Sequence, residues 1–588
     1  MNRFETLRQV ELRTDKHVFH REVFDYLLAL WEGHVPPPDE AEAGALLPLM
    51  ARWLRAAPLR EPQDRFRLLT ARRGLLCLVH ASGTSVDGFL ESALGLLPPL
   101  EKAAPWVRQK LALMASIDSQ WHADLDAWQR ISPDEAMLYA IAALCDEPIS
   151  ATGLDNFNAV VAALPELKPV DLPYSHLTDL AYANYIVSFA SAAQKYAGKR
   201  VFGEQVRRML DRRGFLAEMP DRENRARQGR PQVTVIAERL VGGNMVHRCY
   251  GRQITELKRD FDVTLIAEAP SRCEAHHELA HVVRYFDPHP EKLGELIKSV
   301  LNGSPDLIYY PSVGMTTWTF ALPHLRLAPL QVACLGHPSP TVSRVLDYLA
   351  MPGDVWSPAA ENHEAPLLYE SHALTADFSF SAAVDELHEA WAGRAARQRI
   401  RIAINASSMK LNAGFLACIR EIVRQRADRV ELRFFPSGVG VRHQALVKRL
   451  QAWFPEAEVM PGTDFDRYIE LLADCDLALQ AFPFGGTNTT MDVLALGLPI
   501  VCLDGPELHS RIDAAILNRA GLHSTLLAGT TEAYQALAWR LIDDAGERVR
   551  IGRIARQRIL AILRERPDGS TLADVLKPLL DARTAPES

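Results

Sequence analysis

Long apolar runs, paired cysteines and an excess of positive charge are all missing from this 588-residue chain. The longest apolar stretch, around Val493 to Leu503, falls well short of the roughly 20 residues a membrane-spanning helix needs. The start, Met1-Asn2-Arg3-Phe4-Glu5-Thr6, runs into charged sequence without the apolar core of a secretory leader, so a cytoplasmic location without membrane insertion is expected. Eight cysteines are scattered with no CxxC pair, a pattern that fits reduced thiols better than a disulfide framework. With 65 Lys and Arg against 73 Asp and Glu, the net charge of -8 argues against a general nucleic-acid-binding surface. No repeat of about 34 or 40 residues emerges, which leaves a regular helical solenoid unsupported.

What the chain does contain is a change of grammar. Its length exceeds what one hydrophobic core supports, so two to four domains are expected. Up to about Leu216 the periodicity is helical; Val23, Phe24, Leu27, Leu28, Leu30 and Trp31 make one broad apolar face. Ser132-Pro133-Asp134-Glu135 is a helix start, with serine at the cap, proline at the first helical position and glutamate three residues after the cap. The polar run Asp221–Pro231 reads as a linker. Beyond it, strand candidates alternate with helical stretches: 232–237, 263–267, 307–310, 332–335 and 345–350, then 400–404, 430–435, 477–482 and 499–503. The expected division is an all-α domain over 1–225, a first Rossmann-like domain over 231–395 and a second over 396–588. Two doubly wound sheets facing a cleft behind a helical domain is the GT-B arrangement, with ligands beyond the carboxyl ends of the strands.

Three loops at such strand ends carry candidate chemistry. After the strand candidate 477–482, Gly485-Gly486-Thr487-Asn488 leads to a helix expected to begin near Thr489, since Thr489 and Asp492 have capping-box spacing. The N–H groups and positive dipole end of such a helix suit phosphate, and the glycines admit close approach of a ligand. Asp492, one turn in, is placed to accept from ribose hydroxyls. An ordinary strand-to-helix turn with a structural cap is the competing reading. Ser407-Ser408-Met409-Lys410-Leu411-Asn412 holds the equivalent position after the strand candidate 400–404, where a lysine sets a point charge on a diphosphate, or is simply solvated. Leu335-Gly336-His337-Pro338 follows a strand of the first α/β domain; its histidine orients a substrate or exchanges a proton, or else is structural.

These segments, with Asp306–Met315, Leu325–Val332, Met409–Asn412, Phe482–Gly486, Thr487-Asn488, Asp492 and Gly505–His509, resemble the bacterial cytoplasmic N-glycosyltransferases that modify high-molecular-weight adhesins. That group belongs to glycosyltransferase family 41, beside the O-GlcNAc transferases. The resemblance spans roughly Gln232 to Leu522. It implies inverting, metal-independent transfer of a hexose, glucose or galactose, from a UDP-sugar to asparagine in Asn-x-Ser/Thr sequences of an acceptor such as an adhesin. Transfer to serine or threonine by the same superfamily is the alternative. By position, Ser407 and Lys410 contact the diphosphate, Gly485, Gly486, Thr487, Asn488 and Asp492 the nucleotide and its phosphates, and His337 lies beside the reacting centre. In Gly242–Arg248 a pocket histidine is expected; Asn244 stands near its place and His247 is the nearby candidate. Gly438 replaces a glutamine that touches the nucleotide, Met460–Phe465 lacks the family's histidines, and Thr489-Thr490 replaces a glycine-containing sequence.

Two rival motifs point elsewhere. His277-Glu278-Leu279-Ala280-His281 is a literal HExxH, which in a metallopeptidase puts two zinc-binding histidines on one helix face. No third ligand follows at a typical spacing. Asp464-Phe465-Asp466 and Asp474-Cys475-Asp476 imitate metal-binding DxD motifs, but the first reads as a helix N-cap and the second leads into a strand. A catalytically degenerate sugar-nucleotide sensor is the non-enzymatic alternative.

Overall fold

The computed structural model describes residues 16–57, 59, 61–114, 116–121, 124–192, 194–216, 229–242, 244–358, 363–370, 382–393, 397–564 and 569–584. Most of the expected linker Asp221–Pro231 lies outside the described residues. The chain divides into two compact units, one of 1–179, 189–201 and 397–471, the other of 180–188, 202–396 and 472–588.

The first unit opens with helices, from Lys16–Glu32 onward. In Lys16–Glu32 the apolar face buries Val23, Leu27 and Leu30 fully, while Phe24, Leu28 and Trp31 are half-buried. Helix Pro133–Leu144 starts as its sequence dictates, with Ser132 Oγ accepting from the Glu135 N–H at 3.3 Å. It is buried on every side, and its Tyr139 stacks on Trp128 at 5.1 Å. No described helix is long and apolar enough to cross a membrane.

Among the described residues the strands are β1 (Gln232–Ala237), β2 (Asp262–Glu268), β3 (Val282–Phe286), β4 (Leu307–Tyr310), β5 (Leu330–Ala333), β6 (Tyr348–Pro352), β7 (Ala365–Tyr369), β8 (Ile400–Ile404), β9 (Val430–Phe434), β10 (Glu458–Val459), β11 (Leu477–Leu479), β12 (Ile500–Leu503) and β13 (Leu527–Ala528). The second unit contains an all-parallel sheet ordered β3-β2-β1-β4-β5-β6-β7, whose order reverses between β1 and β4. Its core joins Val233, Val235, Leu265, Tyr309 and Val332 to Leu572, Leu576 and Leu580 of the last helix, Leu572–Thr584. The same unit carries the parallel set β11-β12-β13. The first unit carries β10-β9-β8, also parallel. Parallel α/β sheets behind an all-α segment make the GT-B architecture.

The strands anticipated from β-rich runs all exist; β1, β4 and β8 have the expected bounds and the other six have shifted ends. Four were not anticipated: β3, β7, β10 and β13. Each lies at the edge of its set, and β3 and β7 are largely exposed or half-buried, so they lack the continuous apolar signal of a buried parallel strand.

Candidate functional site

In the second unit the strand order reverses between β1 and β4, the position where doubly wound sheets bind ligands. Glu238, the residue after β1, is fully buried there. Its carboxylate accepts from Ser312 Oγ (2.6 Å), Met315 N (3.3 Å), Thr316 Oγ1 (3.0 Å) and Thr319 Oγ1, all on the segment after β4. Burial pushes its pKa up, and these donors oppose that shift. Gly336 packs on the same segment: a Cβ there would sit 2.5 Å from Ser312 Cβ, so only glycine fits.

The next residue, His337, is almost wholly buried. Its Nε2 hydrogen-bonds Ser188 Oγ at 2.9 Å, and its ring lies 4.7 Å from Tyr185. It is also stacked on Phe484 (5.7 Å, 15°), which in turn stacks on His509 (4.6 Å, 15°). His509 is fixed by the Pro483 carbonyl at 2.9 Å and Glu507 at 3.0 Å. His337 is thus joined through Phe484 to the Gly485–Asp492 loop.

That loop is built differently from the expected capping box. The helix is Asn488–Leu496, its N-cap is Thr487 rather than Thr489, and no cap side chain bonds back. Asp513 takes that role from a helix far along the chain. Its carboxylate accepts from Gly486 N (2.7 Å), Thr487 N (2.8 Å) and Thr490 Oγ1 (2.8 Å). The glycines serve this packing first. A Cβ on Gly485 would stand 2.0 Å from Asp513 Oδ2, and one on Gly486 would stand 2.3 Å from Thr489 Oγ1. Among the described residues the N–H groups of Asn488 and Thr489 have no partner, as the first turn of a helix leaves them. With the N–H of Thr490, which also has no partner among the described residues, these are the donors that remain for an anion.

Asn488 and Asp492 both meet the helix Met245–Leu257. Asn488 Nδ2 lies 3.2 Å from Cys249 Sγ, and Asp492 Oδ1 accepts from Arg248 at 2.6 Å with both side chains buried. Asn244 is the N-cap of that helix, its Oδ1 accepting from His247 N at 3.1 Å. His247 itself is half-buried and lies over Gly251 one turn on.

In the first unit, Ser407 leads into the 3₁₀ turn Ser408–Lys410, and Lys410 N donates to Ser407 O at 2.9 Å. Ser408 N donates to Pro436 O at 3.3 Å, which brings this turn to the segment carrying Gly438. Gly438 is wedged against Leu446, 2.8 Å from where a Cβ would stand, and its carbonyl accepts from Gly462 N at 2.7 Å. Asn412 caps the next helix, Ala413–Arg424, through Phe415 N at 3.0 Å. Phe415, Leu416, Ile419 and Ile422 of that helix are buried and Val423 is half-buried.

The HExxH segment does not form the zinc arrangement. Its helix ends at Leu279, Ala280 is extended, and His281 Nδ1 accepts from Val263 N at 3.0 Å. The two histidines therefore do not share a helix face. Asp464 caps the helix Phe465–Ala473 through Arg467 N at 2.9 Å, and Asp474-Cys475-Asp476 directly precedes β11. No group of three His, Cys, Asp or Glu side chains among the described residues is placed to hold a metal.

Sequence reasoning missed Glu238, Arg248, Cys249 and Asp513. Glu238 carried one signal, a carboxylate directly after a buried strand. The other three become visible only when distant helices meet.

No family model matches the chain. Two curated relatives, the UDP-glucose:protein N-β-glucosyltransferases of Actinobacillus pleuropneumoniae serotypes 5b and 7, are each 27% identical to it, over 455 and 460 residues. Each match covers 76% of this chain and 72% of the relative. Among solved structures, a Thermobaculum terrenum O-GlcNAc transferase mutant superposes with a TM-score of 0.54 at 17% identity, covering 93% of this chain and 98% of that one. The structural likeness shows the shared fold. The sequence likeness shows kinship with the bacterial protein N-glucosyltransferases.

Proposed function

We propose that this chain, a GT-B protein akin to the bacterial protein N-glucosyltransferases, transfers glucose from UDP-glucose to the side-chain amide of asparagine in a polypeptide. The observation that carries the reading is the sequence similarity that covers 76% of this chain and 72% of enzymes named for that reaction. In the transfer, the bond from the anomeric carbon to the diphosphate oxygen breaks and a bond to the amide nitrogen forms. UDP leaves and the nitrogen loses a proton to solvent. UDP-glucose is α-linked and a β-linked product requires attack from the opposite face, so the reaction is a single inverting displacement.

The residues are given these roles as part of the proposal. Lys410 and Ser407 meet the diphosphate, and the N–H groups of Asn488 and Thr489 add donors where charge develops on the leaving group. Asn488 and Asp492 hold the nucleotide, with Gly485, Gly486 and Thr487 shaping the loop. Gly438 lies beside the nucleotide, its backbone packed against Leu446 and His443. His337 lies beside the reacting centre, and His247 is the second histidine assigned there. Positive potential from side chain and backbone replaces a metal. The acceptor is an Asn-x-Ser/Thr sequence in a protein such as an adhesin, and the reaction takes place in the cytoplasm.

The test is incubation with UDP-glucose and an Asn-x-Thr peptide, with and without EDTA, read by mass spectrometry. The proposal expects one hexose added at equal rates in both. UDP-glucose binding without any transfer would point instead to a sugar-nucleotide sensor.

A further inference from the structure

We infer that Glu147, in the helical N-terminal region, is a positioning residue for the Ser407–Lys410 turn. The inference rests on the proposed role of that turn at the diphosphate, and it lies wholly within the first unit.

The loop after helix Pro133–Leu144 reaches the α/β elements through successive residues. Glu147 Oε1 accepts from the hydroxyl of Ser408, which is buried inside the turn. The Pro148 carbonyl accepts from Ala413 N at 2.9 Å. Ala413 is the first residue of its helix, so that N–H has no partner within the helix. The Ile149 carbonyl accepts from Trp453 Nε1 at 3.0 Å. Arg449 holds the loop from its other side, donating to Glu147 O at 2.6 Å and Asp118 Oδ2 at 2.8 Å, with Nη1 3.6 Å from Glu147 Oε2.

The consequence for ligand binding is specific. The Ser408 hydroxyl is committed to Glu147, so the diphosphate contacts proposed for this turn fall to Ser407 and Lys410. A short turn between strand and helix has few internal bonds of its own, while a phosphate contact tolerates misplacement of only a fraction of an ångström. Glu147 sets the turn from the helical region, which makes that region part of the donor half-site rather than a detachable module.

The experiment measures UDP binding by calorimetry and donor and peptide KM on the full chain. Glu147→Ala is expected to weaken UDP by about tenfold and to raise donor KM in parallel, leaving peptide KM unchanged. Glu147→Gln keeps the accepting oxygen and should restore most of the affinity. Ser408→Ala, a smaller change, should reproduce the defect, and the double variant should be no worse than either single one. UDP affinity unchanged in both Glu147→Ala and Ser408→Ala overturns the inference whatever Lys410→Ala does. A weakened Glu147→Ala beside an unchanged Lys410→Ala removes Lys410 from the proposed function and leaves the brace acting through Ser407.

Discussion

Arg248 and Asp492, 244 residues apart, form an ion pair of 2.6 Å in which both side chains are more than nine-tenths buried. The pair ties helix Met245–Leu257 to the helix that follows the glycine loop. Asp492→Ala takes the carboxylate away from a buried guanidinium, and the expected loss is roughly 3–5 kcal/mol, read as a lowered urea midpoint. Replacing both, with Arg248→Met and Asp492→Leu, should recover most of that stability while UDP affinity stays low. Recovery of UDP affinity with the apolar pair would remove Asp492 from the nucleotide site.

His337 lies between Tyr185 and Phe484 and hydrogen-bonds Ser188. His337→Phe preserves the stack and deletes the hydrogen-bonding nitrogen. If the ring acts at the reacting centre, kcat should fall by about a hundredfold or more with little change in UDP affinity. A variant with full kcat would make the histidine structural, a stacked ring and nothing else.

Gly485 has no room for a methyl group, with Asp513 Oδ2 2.0 Å from the position of its Cβ. Gly485→Ala should push Asp513 off the N–H groups of Gly486 and Thr487 and abolish UDP binding, with a lower melting temperature. Isothermal titration with UDP checks this; near-normal affinity would mean that the loop relaxes without moving the helix terminus.

Stability should fall in acid for a reason located at His324. This ring is buried, its Nε2 has no hydrogen-bond partner among the described residues, and burial, with the nearby Arg207 charge, pushes its pKa down to about 3. The unfolded chain takes up a proton near pH 6.5 while the folded one resists it, so the unfolded state binds more protons in between. This contribution is intact above pH 6.5 and is lost progressively as pH falls toward 3. His324→Phe should flatten that part of the pH–stability curve; an unchanged slope would assign it to other groups.

The two-sheet grammar was legible because buried parallel strands are continuous apolar runs, as in β1, β4 and β8. The start of helix Pro133–Leu144 was legible because its cap is local. The start of Asn488–Leu496 was not. Thr489 and Asp492 have capping-box spacing, yet Asp513 supplies the acceptor, and an interaction across a helix and a strand leaves no local trace. The HExxH motif misleads for the opposite reason. Its spacing is right, but the helix stops at Leu279 and β3 begins three residues later. Loops with candidate chemistry could be found from their places after strands, whereas their supports (Glu238, Asp513 and Glu147) depend on the folded chain.

Transfer to asparagine is decided by locating the sugar. A peptide bearing Asn-x-Thr is incubated with the enzyme and UDP-glucose, and the product is fragmented by electron transfer. A single hexose on the asparagine is expected, absent from the Asn→Gln peptide. A hexose on threonine, or none on a peptide incubated with UDP-glucose, would contradict it.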